Sequence, residues 1–594
     1  MPELATLPAH LTGAHFLLQE TAPENIFTPA DLSPEDRQMA DAAARFMDKE
    51  VFPHLDALEH QEPGVMQKLF KQAGGLGFLG IETPEDYGGL GLGKTSAIGV
   101  NEQLSRLAGF GITCAAHTGI ASQPLIYFGN AAQKQQYLPR LAAGEWMGAY
   151  CLSEAGSGSD ALGMKAKAVL SPDGKHYLLN GVKMWITNAA WADLFTVFAK
   201  VDGEHVTAFL VEKTFPGVSL GKEEHKLGIK SSSTRRVVLE DVKVPVANLL
   251  GEVGKGAHIA FNILNFGRYS LGAGIMGPAK EQIRVSIKYA QERQQFGKPL
   301  TSFGLIQQKL ATMAVKVFAG ESATHRTAGL IDAVAATGQT LDVVNPHFLR
   351  SLDEFALECS IVKVRCSELL FEVADDAIQI HGGYGFTEEF APARALRDSR
   401  INRIFEGTNE INRLFLLSML IRRDQRGRFP LSQTIQRIQR EVANYELSAD
   451  TGDDLLNADG FLGGAKHLFF FLTGLAIKKF GQKLSEEQEV SAALADVITD
   501  IYLGESVVLR ALKTRPRAPQ NTIQSMLAVL FINESVLRLE AAARLVLESV
   551  SERKEFAWQL AVVRRLLASH SIDSIALRRQ VAQKLCAVGG YCPG

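Results

Sequence analysis

No Cys-x-x-Cys pair occurs in the 594 residues, and the six cysteines (Cys114, Cys151, Cys359, Cys366, Cys586 and Cys592) are scattered. Paired thiols at short spacing build structural zinc sites, so no metal centre is expected. Six thiols in so long a chain do not make a disulfide framework either, which points to a reducing compartment. An excess of one charge is lacking as well. The 62 Lys and Arg stand against 65 Asp and Glu, a formal net charge of −3, and give no sequence-wide attraction to nucleic acid. Met1 to Glu20 has no basic stretch followed by an apolar run, as a secretory signal would, and lacks the Arg-rich, acid-poor character of a mitochondrial presequence. The most suspicious apolar run, Leu468 to Ile477, is about half of what a bilayer-spanning helix needs. No internal repeat or low-complexity tract is present. Together these absences lead to the expectation of a cytoplasmic protein from a bacterium.

What is present is an ordinary globular composition, 46% hydrophobic and 21% charged, with length for roughly three to five domains or subdomains. Residues 1–34 read as an N-terminal arm and 35–147 as a helical domain. Ser33-Pro34-Glu35-Asp36 is a helix start: a cap, a proline at the first helical position and acids in the first turn. Pro124 and Gly129 are expected to break Ala116 to Tyr137 into two shorter helices. From 148 to 250 the pattern changes to short β-rich runs split by Asp173-Gly174, Asn180-Gly181 and Asp202-Gly203, with His176–Leu179, Leu194–Val201, Val206–Val211 and Val237–Val244 as strands. Turns so closely spaced predict an antiparallel sheet or small barrel. Helical spacing returns over Pro278 to Arg293, Ser302 to Ala336 and Leu352 to Ile380, which predicts a bundle over 251–426. A break at Gly427 to Pro430 sets off a helical extension, 427–594.

Two stretches mimic a dinucleotide-binding fingerprint: Gly272-Ala-Gly274-Ile-Met-Gly277 and Gly156-Ser-Gly158-Ser-Asp-Ala161. The fingerprint has meaning only between a strand and a helix of a parallel unit. The first lies within a predicted helix and the second precedes antiparallel strands, so both are read otherwise. Five further stretches carry more chemistry. Tyr150 to Asp160 is a polar, glycine-rich loop at the helical-to-β junction, where free N–H groups suit a heterocycle or a phosphate. Lys183-Met-Trp-Ile-Thr-Asn188 offers an aromatic plane and a hydroxyl. Glu292 to Lys298 places an arginine at a helix end, Gln379 to Phe386 carries three glycines that permit close backbone approach, and Phe405-Glu-Gly-Thr-Asn-Glu410 follows an arginine-rich run.

In this order and spacing the five stretches resemble the acyl-CoA dehydrogenase family from about residue 35 to 425, and the extension resembles the very-long-chain branch. The resemblance implies a mainly α fold with a central β domain: a helical N-terminal domain, a β-barrel-like middle domain and a four-helix bundle, here with the helical extension. It implies FAD as cofactor, a fatty acyl-CoA substrate, an electron-transfer flavoprotein as acceptor and a homodimer. Carried over residue by residue, Tyr150, Leu152, Ser153, Trp185, Ile186 and Thr187 line the flavin, and Ser159 meets both flavin and CoA. Arg293, Phe296, Gln379, Gly382 and Gly383 reach the FAD of a neighbouring subunit. Thr408, Asn409 and Glu410 complete the cofactor site; the family often has Gln at position 410. Asn265, Arg268, Phe405 and Gly407 belong to the substrate side, and Glu406 matches the catalytic base.

The need for such a base follows from the chemistry. A thioester α-proton is weakly acidic, so its removal requires a base aimed at the carbon and stabilisation of the developing enolate oxygen. Family members supply the latter from a backbone N–H at the base and a flavin hydroxyl. A buried carboxylate can have its pKa raised toward working pH. Phe110 to His117 aligns with the helix at the bottom of the acyl pocket; Gly111, Ile112, Ala115 and Ala116 are small or apolar, which predicts a deep apolar slot and long chains. The His467 to Lys479 run, apolar and then basic, is read as a buried helix rather than a membrane-lying one, because three consecutive phenylalanines point around a helix. Three other functions remain open on the sequence: an acyl-CoA oxidase, a non-catalytic assembly factor on the same fold, and a DNA-associated relative, which would need a basic C-terminal region.

Overall fold

The computed structural model describes residues 8–337, 346–446, 449–515 and 522–593. The first domain opens at the predicted cap: Ser33 Oγ accepts from the Asp36 N–H at 3.0 Å, the Ser33 N–H donates back to the Asp36 carboxylate, and Pro34 starts the helix Pro34–Phe46. The break within Ala116 to Tyr137 falls at Gly129 alone. Pro124 lies in a helical run that does not end there, since the π-helical segment Ala116–Ala121 leads directly into the helix Ser122–Phe128, and the following helix is Ala131–Ala142.

The middle layer is a mixed sheet rather than a purely antiparallel one. Among the described residues it has eight strands. They run in the order Val218–Leu220, Thr234–Pro245, His176–Thr187, Lys167–Leu170, Leu194–Val201, His205–Glu212 and Leu249–Leu250, and Gly148–Cys151 lies beside Leu194–Val201. Gly148–Cys151 and Lys167–Leu170 both pair parallel to Leu194–Val201, and the other pairs are antiparallel. The chain enters the sheet from the helical domain and returns to its centre by a crossover, so these neighbours share a direction; turn spacing alone does not reveal a crossover. The Asp193 carboxylate accepts from the Met147 N–H at 2.9 Å and pins that register. Leu194–Val201 is covered on both faces: Phe195 and Val197 pack within the β layer, while Leu194 and Phe198 meet Leu138 and Ile263 of the helices.

The long helices Gly256–Gly274, Met276–Glu292, Gly304–Ala335 and Ala356–His381 form the bundle. The first fingerprint mimic lies here and serves packing. A Cβ on Gly272 would lie 3.1 Å from Val362, and one on Gly277 would strike the Glu102 carbonyl. The extension adds six helices among the described residues, of which Asp454–Phe480, Gln488–Thr514 and Ile523–Val550 are longest. By length and composition the helical stretch Asp454–Ser485 would suffice to cross a membrane. Phe469, Phe470 and Phe471 are nevertheless all buried in the protein core, at most 2% exposed. The extension continues the bundle: its Gln488–Thr514 helix packs on Gly304–Ala335 and on Asn409–Gln425.

The N-terminal arm, whose residues 1–7 lie outside the described set, stitches these parts together. The Gly13 and Ala14 N–H groups donate to Glu354 and Glu358, Phe16 packs on Tyr502 at 4.8 Å, and Lys513 reaches both the Ile26 carbonyl and Asp31. Nothing in the sequence pattern announced these contacts.

Candidate active site

Three of the five sequence stretches converge where the β layer meets the bundle. The Met184 N–H donates to the Ser153 carbonyl at 2.9 Å, and Lys183 Nζ donates to the Leu152 carbonyl at 3.1 Å and to Glu154 at 2.7 Å. The loop after Gly148–Cys151 and the strand carrying Trp185 are thus tied side by side by a buried ion pair. The sequence assigns Lys183 and Glu154 no role, because a lysine in a strand beside a glutamate 29 residues earlier has no local signature. A register shift between Lys183 and Ile186 forms a bulge. There Trp185 adopts a left-handed backbone, φ 57°, and turns outward, 57% exposed. Thr187 is half-buried beside it. Ile186, expected to line the flavin, instead sends its side chain into the sheet core, because alternation turns the residue after the bulge inward. Leu152 is buried, Ser153 half-buried, and Ser159 lies exposed on the glycine-rich loop.

Glu406 lies in a turn between the short Arg400–Arg403 helix and the helix Asn409–Gln425, which Thr408 caps by accepting from the Ile411 N–H. Both Glu406 (φ 58°) and Gly407 (φ 80°) are left-handed. For a glutamate this conformation costs on the order of 1–3 kcal/mol and persists only where neighbours over-determine it. Those neighbours are visible. Arg268 Nε donates to the Glu406 carbonyl at 3.2 Å, and the Gly407 carbonyl accepts from Lys363 Nζ at 2.6 Å and from Asn412 at 2.9 Å. The carboxyl itself rests against Gly267, where a Cβ would stand 2.7 Å from Oε2. Oε2 is shielded from solvent and has no hydrogen-bond partner. Burial pushes the Glu406 carboxyl up to about 7, against the opposing pull of Arg268 and Lys363.

The Asn409 amide is taken up by Lys363, Val364, Ser367 and Glu368, inside the helix contact. Arg268 and Asn265 are buried and bonded to each other at 2.9 Å, and Arg268 braces the turn through the Glu406 carbonyl. Phe405 and Gly407 are half-buried, and Glu410 is exposed on the first turn of its helix.

The other two stretches meet elsewhere. Gln294–Gln295 and Lys298–Pro299 form a hairpin that carries Phe296 (φ 53°), 91% exposed, at its tip, and the Arg293 guanidinium lies 5.8 Å from the Tyr384 ring. Gln379 ends the long helix Ala356–His381, and Gly382 (φ 61°) and Gly383 have nothing within 4 Å of where a Cβ would be. Lys363, near the start of the same helix, touches the Glu406 turn. Sixteen residues separate it from Gln379, about 24 Å along the axis.

Beside Phe266 a small cavity lies between the bundle and the first domain, bordered by Gly111 and Ala115 and by Glu82, Asn101, Ser105, Thr118 and Ser270. Its lining is polar in part. Some of the smallness of Gly111 serves packing, since its Cβ would lie 2.5 Å from Ser105 Cα. Glu82 forms a buried ion pair with Lys94, whose Nζ sits 3.4 Å over the Phe266 ring.

These surfaces fit a flat redox heterocycle. An exposed indole stands over the β layer, the shielded Tyr150 hydroxyl near Glu406 has no partner, and open glycine backbone lies at the second cluster. Sequence models of the acyl-CoA dehydrogenase family match the chain in sequence: its N-terminal domain over residues 33–145, its middle domain over 149–242 and its C-terminal domain over 254–420. A further acyl-CoA dehydrogenase C-terminal domain matches 464–565, in the extension. A probable acyl-CoA dehydrogenase of Bacillus subtilis is 42% identical over 574 residues, 96% of each chain. The mitochondrial very-long-chain specific acyl-CoA dehydrogenase of Mus musculus is 40% identical over 65% of this chain and 58% of its own length. The crystal structure of an acyl-CoA dehydrogenase complexed with FAD from Bacillus anthracis superposes with a TM-score of 0.95 at 44% identity, covering 98% of this chain and 100% of that one. With the site's geometry, these matches make the chain a member of the acyl-CoA dehydrogenase family and an FAD-dependent acyl-CoA dehydrogenase.

Proposed function

We propose that Glu406 is the base that takes the α-proton of a fatty acyl-CoA, giving trans-2-enoyl-CoA in fatty acid β-oxidation. The observation that carries this is its carboxyl: shielded, unpartnered at Oε2, and raised by burial to about 7, where a base is half ionised near neutrality. The backbone N–H of Glu406, held in a fixed left-handed turn, is the group placed to donate to the thioester oxygen as negative charge develops. FAD, when bound, supplies the acceptor for the β-hydrogen as hydride. Tyr150, Leu152, Ser153, Trp185 and Thr187 hold its ring system beside Glu406, with Thr408 at the same turn and Ser159 toward the CoA. Glu406→Gln keeps the shape and removes the basicity: FAD retention and acyl-CoA binding persist, while flavin reduction by substrate falls by several orders of magnitude. Unchanged bleaching of the flavin would overturn the assignment.

The electron acceptor on this reading is an electron-transfer flavoprotein, and hydrogen peroxide released at full turnover would favour an oxidase instead. Long acyl chains are supported by the similarity to the very-long-chain enzyme of mouse. A turnover profile over C4 to C20 acyl-CoAs with a dye acceptor tests it, since each extra buried methylene contributes about 0.8 kcal/mol. The two residue clusters support a homodimer. Because they stand about 24 Å apart along one helix, Arg293, Phe296, Gln379, Gly382 and Gly383 serve the cofactor of the neighbouring copy. The bacterial relatives support a bacterial, cytoplasmic setting.

A further inference from the structure

Lys363 is the buried charge that the reaction as described leaves without a task. It lies on the helix Ala356–His381 and is 0% exposed. Its ammonium donates to two neutral oxygens, the Gly407 carbonyl at 2.6 Å and Asn409 Oδ1 at 2.8 Å. A lysine is almost never fully buried without a carboxylate in contact, because the cation loses its hydration. Here the carboxylate that favours its charge most is that of Glu406, one residue from the carbonyl it holds.

Every charged neighbour can be named. Arg268 opposes it from the helix Gly256–Gly274. Glu406 faces it from the turn, Glu410 from the helix Asn409–Gln425, and Glu368 from its own helix. Glu368 is already engaged by Arg413 at 2.8 Å, and Glu410 is exposed to solvent, where its field is weakened. Arg268, bonded to the Glu406 carbonyl and to Asn265, also draws the Glu406 carboxyl toward its ionised form, ahead of Lys363.

We propose that Lys363 is a positioning residue for the catalytic base: it fixes the Glu406-Gly407 turn through the Gly407 carbonyl, and its charge keeps the Glu406 carboxylate ionised at working pH. The proposal rests on Glu406 being the base. The two groups sustain each other. Burial alone drives Glu406 toward the neutral acid and Lys363 toward the neutral amine, and each pulls the other back toward its charged form. Burial brings the Lys363 ammonium itself down to about 7, against the pull of Glu406.

The test is the pH dependence of flavin reduction by saturating acyl-CoA in FAD-loaded Lys363→Gln and Lys363→Arg. Glutamine can still donate to the Gly407 carbonyl but carries no charge. The expected result is an acid limb moved to higher pH by about one unit or more, in keeping with the effect of a neighbouring opposite charge on a carboxyl. Arginine keeps a charge that does not titrate in this range, so its acid limb lies at or below that of the unsubstituted enzyme. An acid limb in Lys363→Gln that stays in place while the rate drops uniformly overturns the proposal and leaves a packing role. If Lys363→Gln does not load FAD, Lys363→Arg decides: an acid limb raised by a unit or more overturns it, and one at or below the original supports it. Glu406→Gln runs alongside. Undiminished reduction there refutes the base itself, whereas its loss together with an unmoved Lys363→Gln limb refutes this inference alone.

Discussion

Glu406, Trp185 and Phe296, three residues singled out by sequence, each adopt a left-handed backbone that non-glycine residues avoid. Such conformations concentrate where function requires a side chain to leave the regular path. For Glu406 the consequence is a pH dependence with a definite sign. Its value is raised to about 7, so the carboxyl is neutral and inactive below that pH and becomes a base above it. The rate kcat/KM for acyl-CoA is expected to climb tenfold per unit on the acid side and level off above about 7. A limb near the ordinary carboxylate range, about 4.3, would contradict the burial of this group. Gly267 is the second test at this scale. Gly267→Ala places a methyl 2.7 Å from Glu406 Oε2, so flavin reduction is expected to fall by at least tenfold with FAD content unchanged, as read by stopped-flow and by the bound-flavin spectrum. The motifs made Glu406, Trp185 and the glycines legible because their neighbours in sequence are their neighbours in space. Lys183 with Glu154, and Lys363 with Gly407, were not legible, since pairs 29 and 44 residues apart carry no spacing rule. The inward side chains of Asn409 and Ile186 were not legible for a related reason: motif membership places a residue near a site without saying which way its side chain points.

Helices and strands followed the sequence where periodicity or caps governed them. Leu194–Val201 has the predicted bounds, and Ser33 caps its helix as expected. The exceptions have physical causes. Pro124 is absorbed just after the π-helical segment Ala116–Ala121, a local irregularity of the kind that accommodates proline within a helical run, and the parallel strand pairs come from a crossover that local turns do not encode. The helix Asp454–Phe480 shows the limit of composition. Lys478 and Lys479 are exposed at its end, where they complement the helix dipole, and Lys479 Nζ donates to the Ser549 carbonyl. The phenylalanines upstream are enclosed by protein on every side. The expected outcome of flotation with anionic liposomes is therefore that the intact protein stays in the unbound fraction at low salt. Recovery with the vesicles, abolished by Lys478→Glu with Lys479→Glu, would favour an interfacial helix.

At the scale of the whole molecule, three ion-pair systems weld the extension to the bundle. Arg510 and Lys280 share Glu321, Arg326 and Lys466 share Glu505, and Arg413 joins Glu368 to the half-exposed Asp496. Breaking one partner of a buried pair such as Arg326–Glu505 costs about 3–5 kcal/mol, so the extension is part of the fold rather than an appendage. The second cluster looks outward instead. Arg293 is exposed, and on the dimer reading Arg293→Ala lowers FAD occupancy and weakens the oligomer together, measured by the flavin-to-protein absorbance ratio and by sedimentation. Full FAD occupancy in an unchanged oligomer would remove that role. The stitched arm also bears on how the chain matures. Thr21 bonds to Glu505 across 484 residues of sequence. At roughly 5–20 residues per second of synthesis, about 25–100 s pass between the emergence of these two partners. During that interval Phe16 and Leu17 have no Tyr502 or neighbouring helix to cover them, and the arm is a short apolar segment open to chaperones and proteases. Protection of the arm from proteolysis is therefore expected only once the helix Gln488–Thr514 has been made and folded.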